Sequence, residues 1–280
     1  MLKVKWIQDI RIAPAHNLSM DATSTPVSTG FSWEGPKLRV WPVLLVLVIG
    51  VFIVLASFAL ANTILSRIDP GLTRRFWVLL SIAELFELSF ALIGISIARR
   101  YLPNANFALR WPRGKTLAGK AVVWGIAFAV IMLVVDQSPR LLHGWAPNPT
   151  DSRAVDVAGR LGFELILVGL CEETLFRGLL LGILEAMSPS RLRFRTFSIS
   201  TAGVIIALLF ALAHATSFAT EAWPIALGQQ LYAFALGIVY VVMRERSGSL
   251  LAPIVLHSVS DFLEDALINV LAILLPHAPH

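Results

Sequence analysis

Along residues 41–275 the chain repeats one pattern, a long apolar run followed by a short polar break. The runs fall at about 41–62, 76–98, 117–135, 158–186, 199–219, 224–243 and 250–275. Each is close to or above the roughly 20 residues that cross a bilayer as a helix. Helix is the spanning form they predict, because open strands leave backbone polar groups unsatisfied in hydrocarbon. The expectation is an all-α, polytopic transmembrane helical bundle of seven spans. The fourth and seventh runs are long enough to be tilted or broken, which leaves a count of eight open. Pro253, near the start of the seventh run, predicts a first turn or a kink there.

The polar breaks suggest an organisation. Residues 13–36 are rich in Ser, Thr and Pro, which predicts a partly disordered N-terminal segment over 1–40. The first apolar run begins too late for a cleavable signal, so it is expected to stay in the mature protein. Residues 136–157 contain three prolines and predict an extended outer loop, with His143 an ordinary surface histidine. The chain then divides into the segment 1–40, accessory transmembrane helices over 41–135, the outer loop 136–157 and a core over 158–275.

Composition strengthens the membrane reading. Of 280 residues, 56% are hydrophobic and only 15% charged, where a soluble domain carries about 25% charged residues. The mean hydropathy is +0.74. The net charge of +5 does not point to nucleic acid, because the basic residues sit in the breaks between spans and no basic-aromatic patch is present. Counted by alternate sides, the breaks hold fifteen Lys and Arg against six. That bias predicts a cytoplasmic N-terminus, against which only the three arginines in 63–75 run. Trp41, Trp111, Trp145 and Trp223 fall near span ends and read as interface anchors. Cys171 is the single cysteine, so no internal disulfide can form, and it reads as a small buried hydrophobe.

Ionisable residues at membrane depth are costly and usually face a bundle interior. Here they are Glu84, Glu87, Glu164, Glu172, Glu173, Arg177, His214, His257, Asp261, Glu264 and Asp265. Helical spacing sorts them. Glu173 and Arg177 are four apart and can pair, as can His257 and Asp261. Glu172 is turned about 100° from Glu173, so one carboxylate can hold the arginine while the other faces a cavity. Phe210 lies one turn before His214. The fourth, fifth and seventh spans together would then enclose a polar cavity. A carboxylate there can take a proton from water and a histidine can relay it. Hydrolysis also needs a donor where charge develops on the carbonyl oxygen, and His257 can supply one. Interhelical glue or a proton path would use the same residue types. Glu84 and Glu87 share a face of the second span and read as packing groups or as lining of the same cavity. Depth raises one difficulty. At 1.5 Å per residue, Glu172 and His214 lie about 20 Å from the inner ends of their spans and His257 only about 10 Å from its own. A tilt, a kink near Pro253 or a later start of the last span would bring His257 level.

The segment EETLFR, 172–177, resembles the EExxxR motif of the CPBP family, the CAAX-processing endopeptidases of the Ras-converting type and their bacteriocin-processing relatives. FALAH, 210–214, resembles the family's FxxxH motif, and HSVSD, 257–261, its HxxxN or HxxxD motif. The resemblance covers roughly 158–265. It implies an abortive-infection-like intramembrane protease domain with Glu172 as the base that activates water and His214 assisting. It also implies that His257 forms the oxyanion site with Asp261, and that Arg177 holds Glu173. Eukaryotic prenyl-protein enzymes of this kind carry asparagine where this chain has Asp261. An ionised aspartate cannot donate to an oxyanion, so Asp261 is expected to orient His257 instead. The expected mechanism is metal-free, with zinc on carboxylates and histidines as the alternative, and no HExxH is present. The expected function is an intramembrane endopeptidase acting on prenylated or membrane-associated peptides and proteins in contact with membrane lipids. The expected location is a bacterial inner membrane. The rival reading is a non-enzymatic immunity or scaffold protein of the same fold. A transporter is disfavoured because no internal repeat is visible.

Overall fold

The structure, a computed structural model, describes residues 31–112, 116–142 and 153–275. It is a helical bundle. Five helical stretches are long and apolar enough to cross a membrane: α1 (Val40–Ile68), α3 (Phe76–Tyr101), α4 (Ala118–Leu142), the stretch Thr201–Thr220, and α10 (Trp223–Ser247). The short α2 (Pro70–Thr73) joins α1 to α3, and Thr201–Thr220 divides into α8 (Thr201–Ala213) and α9 (Ser217–Thr220). Two further long helical runs carry most of the ionisable residues. One, over 154–187, is built from α5 (Ala154–Phe163), a π-helical turn at Glu164–Val168, α6 (Gly169–Glu173), a second π-helical stretch at Thr174–Leu180 and α7 (Leu181–Met187). The other is α11 (Leu251–Leu274). Pro253 lies in the first turn of α11, where a missing N–H costs least.

The run 154–187 is the axis of the bundle. From Glu173 to Leu184 every side chain is buried, the mark of a helix enclosed on all sides. α3, α11, α1, α8 and α10 all pack against it. The outer helices bury only a stripe. On α3 the inward positions recur every fourth residue: Leu79, Ala83, Glu87, Ala91 and Ile95. Glu87 therefore occupies a place the periodicity assigns to the core. On α1 the inward stripe is small-residue-rich, with Gly50, Ser57 and Ala61, while the rest presents large apolar side chains outward. Trp41, Trp111 and Trp223 are exposed. Trp145 and His143 lie outside the described residues.

Three features differ from the sequence expectation. α4 continues through Pro139 to Leu142, so residues 136–142 are helical rather than loop. α4 also lies along α11 and α10, so the packing does not divide at 136–157. Gly125 makes the α4–α11 approach possible, since a Cβ there would stand 3.0 Å from the Leu256 carbonyl oxygen. Finally, part of the N-terminal segment is ordered. β1 (Phe31–Glu34), β2 (Arg191–Phe194) and β3 (Phe197–Ser200) form an antiparallel sheet in that order. Phe31 pairs with Phe194 and Phe194 with Phe197, so the aromatics share one face.

The turn between α10 and α11 is sunk into the protein. Ser247, Ser249 and Leu250 are buried. Gly248 takes the left-handed φ of +65° that ends α10. The segment 106–110 covers this turn: Arg110 donates to the Gly248 carbonyl (2.9 Å), Leu250 N–H to the Ala108 carbonyl (3.2 Å) and Arg244 to the Asn106 carbonyl (2.5 Å). Non-helical backbone inside a membrane bundle is tolerated where protein satisfies it in this way. The first turns of α11 are thereby placed beside the axis helix, and His257 reaches Glu173.

Candidate active site

The two glutamates of the axis helix face different ways. Glu173 is fully buried. Its Oε1 accepts from Arg177 Nη1 at 2.8 Å and lies 3.0 Å from His257 Nδ1. Glu172 keeps 20% of its side chain exposed and lines a cavity. The 100° step between neighbours on a helix produces the split. π-helical turns flank the pair on both sides. Such turns recur at functional sites, and nothing in the residue types signals them.

Arg177 is also fully buried, and one carboxylate oxygen does not satisfy it. Its guanidinium lies 4.1 Å from the centre of the Phe210 ring and 4.7 Å from that of Tyr240, with Phe176 at 5.8 Å. The aromatic faces supply the negative potential that Nε and Nη2, which have no hydrogen-bond partner among the described residues, would otherwise lack. Gly237 admits the guanidinium, because a Cβ there would stand 3.2 Å from Arg177 Nη2.

His257 is held on three sides. Nδ1 faces Glu173, and Nε2 lies 3.2 Å from Asp261 Oδ2 and 3.9 Å from Glu172 Oε2. Its ring stacks on Tyr240, with centroids 4.9 Å apart and planes 20° apart, and Phe210 meets it edge-on at 5.7 Å. Ser260 Oγ lies 2.8 Å from the His257 carbonyl oxygen and 3.1 Å from Asp261 Oδ1, so its one proton is shared between the two motif residues. The α6–α11 contact that brings them to Glu173 depends on Gly169. A Cβ there would stand 2.5 Å from Ser258 Oγ and 2.7 Å from the Ile254 carbonyl.

His214 ends α8. Its Nδ1 lies 2.9 Å from the Phe210 carbonyl oxygen, an acceptor only, so Nδ1 carries the proton. In the neutral ring Nε2 is then an open acceptor. Phe210 packs against the His214 ring at 5.0 Å, so one side chain touches both histidines and Arg177.

Glu172, His214, His257 and Asp261 line one cavity of about 380 Å³, with Phe210 in its wall. It adjoins a larger one of about 580 Å³ that shares Glu172 and His214 and reaches Glu84 and Glu87. Glu173 and Arg177 line neither and stand behind the wall. A further ionic group braces one side of the cavities: Arg160 bonds Glu164 at 2.8 Å and Asp265 at 2.7 Å. Near the outer end of α5, Asp156 accepts from the Trp77 indole at 3.0 Å and from Arg153 at 2.5 Å, tying α5 to α3. The indole hydrogen bond, with Arg153 and Arg75, holds its carboxyl below the usual aspartate range.

Sequence reasoning does not single out Tyr240, Ser260 or Asp136. Tyr240 lies in an apolar run without a distinguishing neighbour. Ser260 stands within the HSVSD segment and was accessible there. Asp136, which accepts from Tyr232 at 3.0 Å, was assigned to a loop. Among the described residues no three His, Cys, Asp or Glu side chains converge with the spacing of metal ligands.

Comparison with known proteins bears on the same segment. No curated protein and no solved structure matches the chain. Residues 156–263 match the family described as type II CAAX prenyl endopeptidase Rce1-like. That range runs from the start of the axis helix through both histidine motifs. Residues 156–263, which carry Glu172, His214, His257 and Asp261, are thus similar to the Rce1-like family of CAAX proteases.

Proposed function

We propose that this protein is an intramembrane endopeptidase in which Glu172 activates a water molecule for attack on a peptide bond of a membrane-associated substrate. The observation that supports this most is that Glu172, His214, His257 and Asp261, drawn from three separate helices, line a single cavity. A family of CAAX-type proteases implies peptide or membrane-protein substrates.

In the proposed reaction the Glu172 carboxylate takes a proton from water as the oxygen adds to the scissile carbonyl carbon. The carbonyl π bond breaks and the oxygen takes its electrons. His257 Nε2–H is shared between that oxygen and Asp261 Oδ2, which fixes the ring rather than contacting the oxyanion. The open Nε2 of His214 accepts and returns protons beside Glu172. The C–N bond then breaks, and the proton held by Glu172 passes to the leaving nitrogen. The buried Glu173–Arg177 pair acts through His257 by fixing its ring. The route proposed uses no metal. The orientation proposed has the N-terminus on the cytoplasmic side of a bacterial inner membrane, as the distribution of Lys and Arg supports.

The test is cleavage by purified protein in detergent. The substrates are a prenylated CAAX peptide and membrane-protein fragments, with wild type, E172Q and H214A each assayed with and without a strong chelator. Cleavage by wild type that E172Q abolishes, with chelator making no difference, is the expected result. Full activity of E172Q overturns the assignment of the base. Chelator-sensitive activity restored by zinc overturns the metal-free route.

A further inference from the structure

Glu84 and Glu87 stand one helical turn apart on α3 and line the larger cavity together with Glu172. Glu87 is 6% exposed. One oxygen each of Glu84 (Oε2), Glu87 (Oε1) and Glu172 (Oε2) is buried without a hydrogen-bond partner among the described residues, while Glu84 also meets the Cys171 thiol of α6. A carboxyl group placed for helix packing would be expected to bond across the interface, because an unsatisfied buried acceptor carries the full cost of its desolvation.

The cavity wall is rich in acid. It contains seven carboxyl groups and two guanidinium groups. Arg140 pairs with Glu221 and Arg160 with Asp265, two of those seven, and Arg160 also bonds Glu164. The spacing of the acids does not suit a metal ion. It suits a larger organic cation with several donors, which can bridge carboxyl groups too far apart to share a metal.

We propose that the Glu84–Glu87 face is a substrate subsite for a cationic group, the ammonium or guanidinium of a basic residue near the scissile bond. The inference rests on the reading of this cavity as a peptide-hydrolysing site. Binding energy comes from supplying donors to carboxyl oxygens that have none in the free protein. Glu84 and Glu87 are specificity residues in this scheme. They adjoin Glu172 but do not take part in the proton transfers.

The experiment measures binding and cleavage separately. Dye-labelled, Leu/Ala-rich peptides carrying one lysine walked through the central positions are compared with the norleucine parent. Kd is read by fluorescence anisotropy for wild type and E84Q/E87Q in detergent. At one or two lysine positions wild type is expected to bind about tenfold or more tightly than the parent, as a charge-assisted bond provides. In E84Q/E87Q that gap should fall to about twofold while the parent's Kd stays unchanged. Equal Kd values for lysine and norleucine peptides in wild type overturn the proposal, whatever the variant does. A gap that persists in E84Q/E87Q, or tighter binding of a glutamate-bearing peptide, overturns it too. Mass spectrometry of the bound peptides reports hydrolysis independently. Cleavage without lysine preference sinks the subsite alone. Lysine preference without cleavage of any peptide supports the subsite and counts against the protease.

Discussion

Replacing Arg177 with methionine tests whether the buried network holds the site together. Methionine keeps the unbranched stem and removes the guanidinium, so the charge and the guanidinium's own contacts are lost together. Glu173, fully buried, then keeps His257 as its only donor on Oε1. Breaking a buried pair from one side costs about 3–5 kcal/mol, because an uncompensated charge is left behind. The guanidinium's contacts with Phe210 and Tyr240, at 4.1 and 4.7 Å, are lost with it. At about 0.5–2 kcal/mol each, they are the smaller part. The pair lies inside protein rather than against lipid, so the soluble-protein figure is the relevant one. The double variant E173Q/R177M removes both charges while the glutamine oxygen still accepts from His257. It should recover about 1.5–3 kcal/mol of the loss as a coupling energy. The assay is unfolding in mixed micelles, dodecyl maltoside titrated with dodecyl sulfate and followed by tryptophan fluorescence. R177M within about 1 kcal/mol of wild type, or strict additivity in the double variant, would refute the argument.

Three other outcomes are expected. Y240F should retain cleavage because the ring over His257 and Arg177 survives. Y240L should lose about tenfold in kcat/KM, about 1.4 kcal/mol; equal losses in the two would transfer the role to the hydroxyl. G169A should destabilise by about 1–3 kcal/mol, since its Cβ meets the backbone oxygen of Ile254. G162A, whose Cβ meets nothing within 4 Å, should be neutral or slightly stabilising; the reverse order of melting temperatures would undo the packing argument. D156N should lower the melting temperature at neutral pH. Because the folded-state pKa of Asp156 is depressed, its contribution is complete above the unfolded value near 3.9 and is lost as pH falls through the folded one. The gap between wild type and D156N should therefore hold from about pH 7 to 5 and close below about pH 4. A gap unchanged down to pH 3, on a scale where about 3.9 marks the unfolded group, would contradict this.

The apolar runs by themselves determined a bundle of helices, because hydrocarbon admits few other forms. The same sequence placed Glu172 and Glu173 on different faces, since the 100° turn between neighbours is local geometry. It also paired Glu173 with Arg177 and His257 with Asp261, because residues four apart meet on any helix. What joins those pairs was a matter for tertiary structure. Glu173 and His257 are 84 positions apart, and no periodicity encodes the sunken α10–α11 turn that brings them together. The stacking of Tyr240 on His257 and the aromatic faces around Arg177 depend on the crossing of α10 with α8 at Gly237, where the absent side chain leaves room. The role of α3 was illegible for a similar reason. Glu84 and Glu87 read from sequence as packing groups or as lining of the cavity, and only the assembled structure sets them in its wall, each with a carboxyl oxygen lacking a hydrogen-bond partner among the described residues. Local rules specify which side chains share a face of one helix, while the faces that meet are selected by packing among all of them.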